Sequence, residues 1–240
     1  MPESRPAKQA RARKILEALA RAYPDARCAL NFADPFQLLV ATILSAQCTD
    51  ERVNMVTPSL FKKYPTAREL ARARTPSLEK DIRSTGFFRA KSRSLLGMAR
   101  GLVDNHGGQV PDDRAALMAL PGIGLKTANV VLGNAFGREA LTVDTHVFRV
   151  SQRLGLARAE DPDELHDQLV QVLPAYRLTQ ASHLLIFHGR RVCVARTPAC
   201  PVCPVRQLCP WPDKSRGAPR NGPSHPPTLG APRRSRGAPR

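Results

Sequence analysis

RAALMALPGIGLKTANVVLGNAFGREALTVDTH, residues 114–146, is the stretch on which the fold turns. Asp113 to Leu120 carries Ala116, Leu117 and Leu120 at helical spacing, and Lys126 to Gly133 is apolar and rich in Ala and Val, so two helices are predicted. Between them stand Pro121, Gly122, Ile123 and Gly124. Proline fixes one dihedral and the glycines permit positive φ, so the chain can reverse here with almost no side chain over the turn. The amides of such a bare hairpin, with the unpaired ones that open the second helix, suit a phosphate oxygen, which makes Gly122, Ile123 and Gly124 candidate contacts. A contact of that kind positions a ligand without reading base sequence.

Lys126 lies in the first turn of the second helix. A cation there opposes the helix dipole, and partial burial would strip its water; both favour a neutral, nucleophilic amine. Pairing with phosphate or solvent is the alternative role. Asp144 follows eighteen residues after the lysine. It stands at the N-terminal end of a helix predicted over Thr142–Leu154, with Val143, Val147, Val150 and Leu154 on one face. An aspartate in that place caps the helix by default, and capping leaves room for chemistry. His146, in the first turn, reads as structural and stays outside the catalytic set.

The 240 residues can hold one large domain or two small lobes, and a hydrophobic fraction of 42% is that of a globular chain. Thirty-seven basic residues against twenty acidic ones give a net charge of +17. Without residues 211–240 the balance is still thirty against nineteen, so the body itself is basic. Nucleic acid is the natural partner of such a charge, although an anionic membrane surface or a simple solubility role has the same sign. The sequence has no bilayer-length apolar run, and its polar start, MPESRPAKQARARK, has no apolar segment behind it, so an intracellular, cytoplasmic protein is expected.

Outward from the hairpin, the pattern is helical throughout. Residues 8–23 form an amphipathic helix with Ile15, Leu16, Leu19 and Tyr23 on one stripe. Asp34 and Pro35 offer a cap and first-turn proline for an apolar helix, Phe36 to Ser45. Further helices are expected over 50–64, 67–73, 77–84, 91–105, 163–173 and 178–188, the last ending before Gly189. Asn105 to Gly108 reads as a connecting turn. No alternating strand is evident, so the expected fold class is all-α. From residue 212 the chain is basic and Pro/Gly-rich, repeats SRGAPR, and cannot build a core, so 212–240 is expected to be a disordered tail.

Cys193, Cys200, Cys203 and Cys209 stand in the spacing C-x6-C-x2-C-x5-C, interleaved with prolines. Four thiolates set in turns make a metal site in a reducing compartment, and their chemistry suits structural zinc and an iron-sulphur cluster alike. Cys28 and Cys48 read as small buried hydrophobes.

LPGIGLKTANVVLGNAFG followed by LTVDTH resembles the helix-hairpin-helix and Gly/Pro-Asp signature of the endonuclease III family of DNA glycosylases. LNFADPFQLLVATILSAQCTD at 30–50, STGFFRAKS at 84–92 and the cysteine array extend the likeness over roughly residues 10–211. The resemblance implies a two-lobed fold: a six-helix barrel lobe over 28–138, and 1–27 joined with 139–211 in a lobe bearing a 4Fe-4S cluster on the four cysteines. It implies a base-excision enzyme acting as a monomer on double-stranded DNA with damaged pyrimidines or abasic sites. Lys126 would be its Schiff-base nucleophile and Asp144 its carboxylate. Gln47 would enter the duplex beside the estranged base, Phe87 would wedge the opposite strand, and Arg196 would meet phosphate from the cysteine loop. Relatives often have leucine at the wedge position, and an ordinary core aromatic is the other role open to Phe87. An adenine-excising relative would carry a glutamate between Phe36 and Gln47, which is absent here. A noncatalytic DNA-binding module is the alternative from another class.

Overall fold

The computed structural model describes residues 3–215, and within them eleven α-helices and several 3-10 turns but no β-strand. No described helix is long and apolar enough to cross a membrane. The all-α expectation therefore holds. The first helix, α1 (Arg5–Ala22), buries Ala12, Ile15, Leu16 and Leu19, the stripe expected from the sequence. In α2 (Pro35–Leu44) Asp34 accepts the amide of Gln37 at 2.8 Å, and Pro35 fills the first turn, where its missing N–H costs nothing. Eight of the ten residues of α2 are buried. Each fully buried leucine or isoleucine there contributes about 1.5–3 kcal/mol, so this helix anchors the first core.

After α3 (Asp50–Lys63), α4 (Ala67–Ala71) and α5 (Thr75–Ile82), the chain makes a 3-10 turn, Arg83–Thr85, and enters α6 (Phe88–His106). The hairpin is α7 (Arg114–Met118), the turn, and α8 (Leu125–Ala135). It docks on α6 through small residues. A Cβ on Gly97 would lie 3.0 Å from Pro121, and one on Gly101 2.9 Å from Leu120. These glycines let the Leu120 and Pro121 side chains of the hairpin seat closely on the helix.

Two hydrophobic cores result. One gathers residues from Leu30 to Ala140, and the other joins α1 with Leu141 to Val205. The second is built on α9 (Thr145–Arg153), α10 (Pro162–Val170) and α11 (Leu178–Arg191). Gly189 permits α9 and α11 to touch, since a Cβ there would lie 2.9 Å from that of His146.

Several expected bounds move. Residues 142–144 are not helical: α9 starts only at Thr145 behind the extended cap Asp144, and the Thr142 amide bonds to Ser182 Oγ at 2.8 Å. Gly189 does not end α11, which continues to Arg191 against α9. The segment 83–85 is 3-10, and α6 begins at Phe88, earlier than apolar spacing suggested. The expected tail begins with an ordered 3-10 turn, Pro212–Ser215, in which Lys214 Nζ donates to the Cys209 carbonyl at 2.7 Å. The rest of that expectation, residues 216–240, lies outside the described residues.

Candidate active site

Lys126 and Asp144 line the same cleft, a cavity of about 200 Å³ whose walls come from both cores. That is below the ~300–1,000 Å³ of drug-sized sites and leaves room for a single small group. Lys126 is carried by the first turn of α8 and is exposed, so its amine meets water in the free protein. The partial burial expected for it is therefore not found. Asp144 caps α9: its Oδ1 accepts the amides of His146 and Val147, both at 2.8 Å. Oδ1 thus does the capping, and among the described residues no hydrogen bond from the protein reaches Oδ2 of this cleft-lining residue. The extended segment before it is fixed by Asn129 Nδ2, which donates to the Leu141 carbonyl at 2.7 Å. Burial lowers the pKa of His146, and its Nδ1 lies 3.2 Å from Arg149, in keeping with the structural role expected for it.

The cleft continues into a groove through Thr42, Ala46 and Thr127, which line both. Gln47, Phe87 and Gly122 line that groove. Gln47 (φ 51°) and Phe87 (φ 48°) are also the non-glycine residues with positive φ among those described. Bulky residues seldom adopt that conformation, and strain of this kind persists where the surroundings enforce it, often at functional sites. Phe87 is 66% exposed, which removes the reading of it as a core aromatic.

In the hairpin, Ile123 departs from expectation. Its side chain is buried in the first core, and its amide closes the turn by donating to the Leu120 carbonyl at 3.2 Å. A phosphate is left the amides of Gly122 and Gly124 and those opening α8, while Ile123 acts as the peg that holds the turn.

The four cysteines are free thiols lining one small cavity beside Arg153, His188 and Trp211. Burial pushes the thiols of Cys200, Cys203 and Cys209 up, Cys203 to about 11, and the neighbouring sulfurs add to the effect. Among the described residues no group of three or more His, Cys, Asp or Glu side chains is arranged to hold a metal ion. The loop is braced from α9. Arg149 donates to the Cys193 and Gly189 carbonyls at 3.2 and 3.0 Å, and Arg153 to the Val194 and Ala195 carbonyls at 2.7 Å each. Trp211 stacks on Arg153, 4.5 Å from ring centroid to guanidinium. Arg196 is exposed on this loop. Cys28 lines the cleft and Cys48 is half-buried, so neither is the fully buried hydrophobe expected.

Sequence reading missed Asp50, Asn134, His183 and Arg190 of the cleft wall. Arg190 Nη2 pairs with Asp50 at 2.9 Å, and His183 Nε2 lies 2.8 Å from Asn134 Oδ1, each contact joining α11 to the other core. No motif links these positions along the chain. The braces Arg149 and Arg153 did leave a signal, two arginines four apart on one helix face.

Residues 40–175 match the HhH-GPD superfamily base excision DNA repair protein family. Endonuclease III of Synechocystis sp. is 50% identical over 204 residues, covering 85% of this chain and 93% of that protein. The Escherichia coli K12 enzyme of that name is 40% identical over 201 residues, covering 84% and 95%. A solved structure described as a trapped endonuclease III-DNA covalent intermediate, an estranged-adenine complex, has a TM-score of 0.82 and 44% identity, covering 87% of this chain and 98% of that one. With that extent of identity, and the same helical architecture around the hairpin, the chain belongs to the endonuclease III family of HhH-GPD base excision DNA repair proteins.

Proposed function

We propose that this chain is a bifunctional DNA glycosylase and abasic-site lyase that excises damaged, oxidised pyrimidines from duplex DNA. The observation that carries the reading is the junction of one cleft, lined by Lys126 and Asp144, with a groove lined by Gln47, Phe87 and Gly122. A base is excised at the sugar C1′, so the nucleotide must leave the stack and the gap must be filled. Gln47 and Phe87 fill it. Gly122, Gly124 and the amides opening α8 hold the backbone phosphate, and Arg196 adds a contact from the cysteine loop.

The neutral amine of Lys126 attacks C1′, and the damaged base leaves with the bonding electrons and takes a proton. The sugar ring opens, and nitrogen and C1′ form an imine. Loss of a proton from C2′ then expels the 3′ oxygen and cuts the strand on that side. The free oxygen of Asp144 stabilises positive charge growing on the sugar and receives a proton from the lysine. The covalent DNA intermediate described for the solved relative supports this course.

The two cores support a division into lobes over 28–138 and over 1–27 with 139–211. Cys193, Cys200, Cys203 and Cys209 fit a 4Fe-4S cluster. Burial raises the thiols of Cys200, Cys203 and Cys209, so a bound cation is needed to hold them as thiolates, and the four sulfurs lining one cavity match the four cysteine ligands that such a cluster takes. When bound, that group supplies structural restraint, while Arg149 and Arg153 aim the loop. The protein acts as a monomer, inside the cell.

Duplexes each carrying one lesion, incubated with the protein, should show base release and a break 3′ to the lesion for oxidised pyrimidines. Binding without either product would leave only a helix-hairpin-helix DNA-binding module.

A further inference from the structure

Lys91 is 5% exposed, a rare position for a lysine. Its ammonium donates to the Leu44 carbonyl and to the Thr85 carbonyl, each at 2.7 Å. Leu44 ends α2, where unpaired carbonyls and the negative end of the helix dipole favour a cation. Thr85 ends the 3-10 turn, and is itself buried. Gln47 comes three residues after the first carbonyl and Phe87 two after the second. One buried charge thus ties together the roots of the loops that bear the positive-φ residues, and Lys91 lines the groove beside both.

A buried ammonium is costly unless bonded, and its partners here belong to two segments far apart in sequence. Separating the loops would leave the charge with fewer acceptors, so the bonds hold the loops in one relative position. The backbone of Lys91 adds to this, its amide donating to the Phe87 carbonyl at 3.0 Å. Leucine or methionine would fill the same space if packing alone were needed.

We propose that Lys91 is a positioning residue that locks the Gln47 and Phe87 loops into one rigid clamp, so that both strands of the duplex are entered together. This rests on the reading of Gln47 and Phe87 as the residues that enter DNA. Lys91 itself touches neither base nor sugar. Its contribution falls on opening the duplex and not on the steps at C1′.

The test compares single-turnover excision of one oxidised pyrimidine in two settings: opposite its paired purine, and opposite an abasic position, where the partner stack is already open. Lys91→Met, with the full chain and its iron content measured, should slow the paired substrate at least about tenfold and the open one less than about threefold. A fluorescent purine placed opposite the lesion should brighten on wild-type binding and stay dark with the variant. Equal slowing on both substrates overturns the proposal, as does unchanged excision of the paired one. If Lys91→Met does not fold, Lys91→Gln, which keeps a two-donor amide, is read the same way, with a smaller selective loss expected and equal slowing again refuting. Gln47→Ala and Phe87→Ala serve as controls. If neither slows the paired substrate selectively, the reading of those two residues fails, whereas selective loss in them without loss in Lys91→Met sinks the clamp alone.

Discussion

Gly122 adopts φ +78°, and a Cβ placed on it would lie 2.9 Å from both Cβ and Oγ of Ser94. Replacing it with alanine imposes two separate costs. The left-handed conformation costs a residue with a Cβ about 1–2 kcal/mol. The contact with Ser94 Cβ cannot be relieved by rotating χ1, because that atom is fixed to α6, and overpacking of this kind costs about 1–3 kcal/mol. Gly122→Ala should therefore lose about 2–5 kcal/mol of stability, a fall in Tm of roughly 4–20 °C for a folded part of this size. Gly124 provides the comparison. It has an ordinary φ of −98° and open space where its Cβ would go, so Gly124→Ala should cost no more than the ~1 kcal/mol of a poorer helix cap. Thermal and urea unfolding measure both. Anisotropy on an undamaged duplex should show weaker binding for Gly122→Ala, because the displaced turn moves the amides proposed to hold phosphate. Unfolding free energies of the two variants within about 0.5 kcal/mol of each other would refute the argument that the hairpin is seated through Gly122.

Asp144→Asn should fold with near wild-type stability, since asparagine caps a helix about as well as aspartate, yet excise at least about 100-fold more slowly; near-normal turnover would leave Asp144 a cap only. Cys203→Ser should lose iron and visible colour, and anaerobically prepared wild-type protein holding stoichiometric zinc without iron would overturn the assignment of the cluster. Because Pro212–Ser215 is ordered and Lys214 bonds to the Cys209 carbonyl, a deletion of the basic tail should begin after Ser215. It should leave excision at saturating DNA intact, and if two of the arginines removed engage phosphate, the slope of log K against log salt should fall by about 1.8; an unchanged slope makes the tail a bystander.

The helices were legible where burial is one-sided. Asp34 and Pro35 announced α2, and the alternating glycines announced the hairpin. Bounds failed where tertiary contacts override local preference. Residues 142–144 look helical by apolar spacing but precede α9, where Ser182 Oγ accepts the Thr142 amide and Asn129 donates to the neighbouring Leu141 carbonyl, both groups arriving from other elements. Lys126, Asp144 and the cysteines were visible through motifs whose members are close in sequence. The cleft wall was not, because Asp50 meets Arg190, and Asn134 meets His183, only after the chain has folded. Lys91 was hidden for a further reason: a lysine in a helix reads as a solvated charge, and nothing local reports the carbonyls waiting for it. Ile123 was misjudged in detail, since the sequence does not say which turn amide closes the hairpin.

Borohydride trapping on duplex DNA with a single abasic site bears most directly on Lys126 as the nucleophile. Wild-type protein should form a covalent complex stable to denaturing electrophoresis, with the modified peptide containing Lys126. Lys126→Gln, which keeps length and hydrogen bonding without a nucleophilic amine, should bind the same duplex and form no trapped complex. A trapped complex in Lys126→Gln, at the wild-type rate and on another residue, would contradict the account.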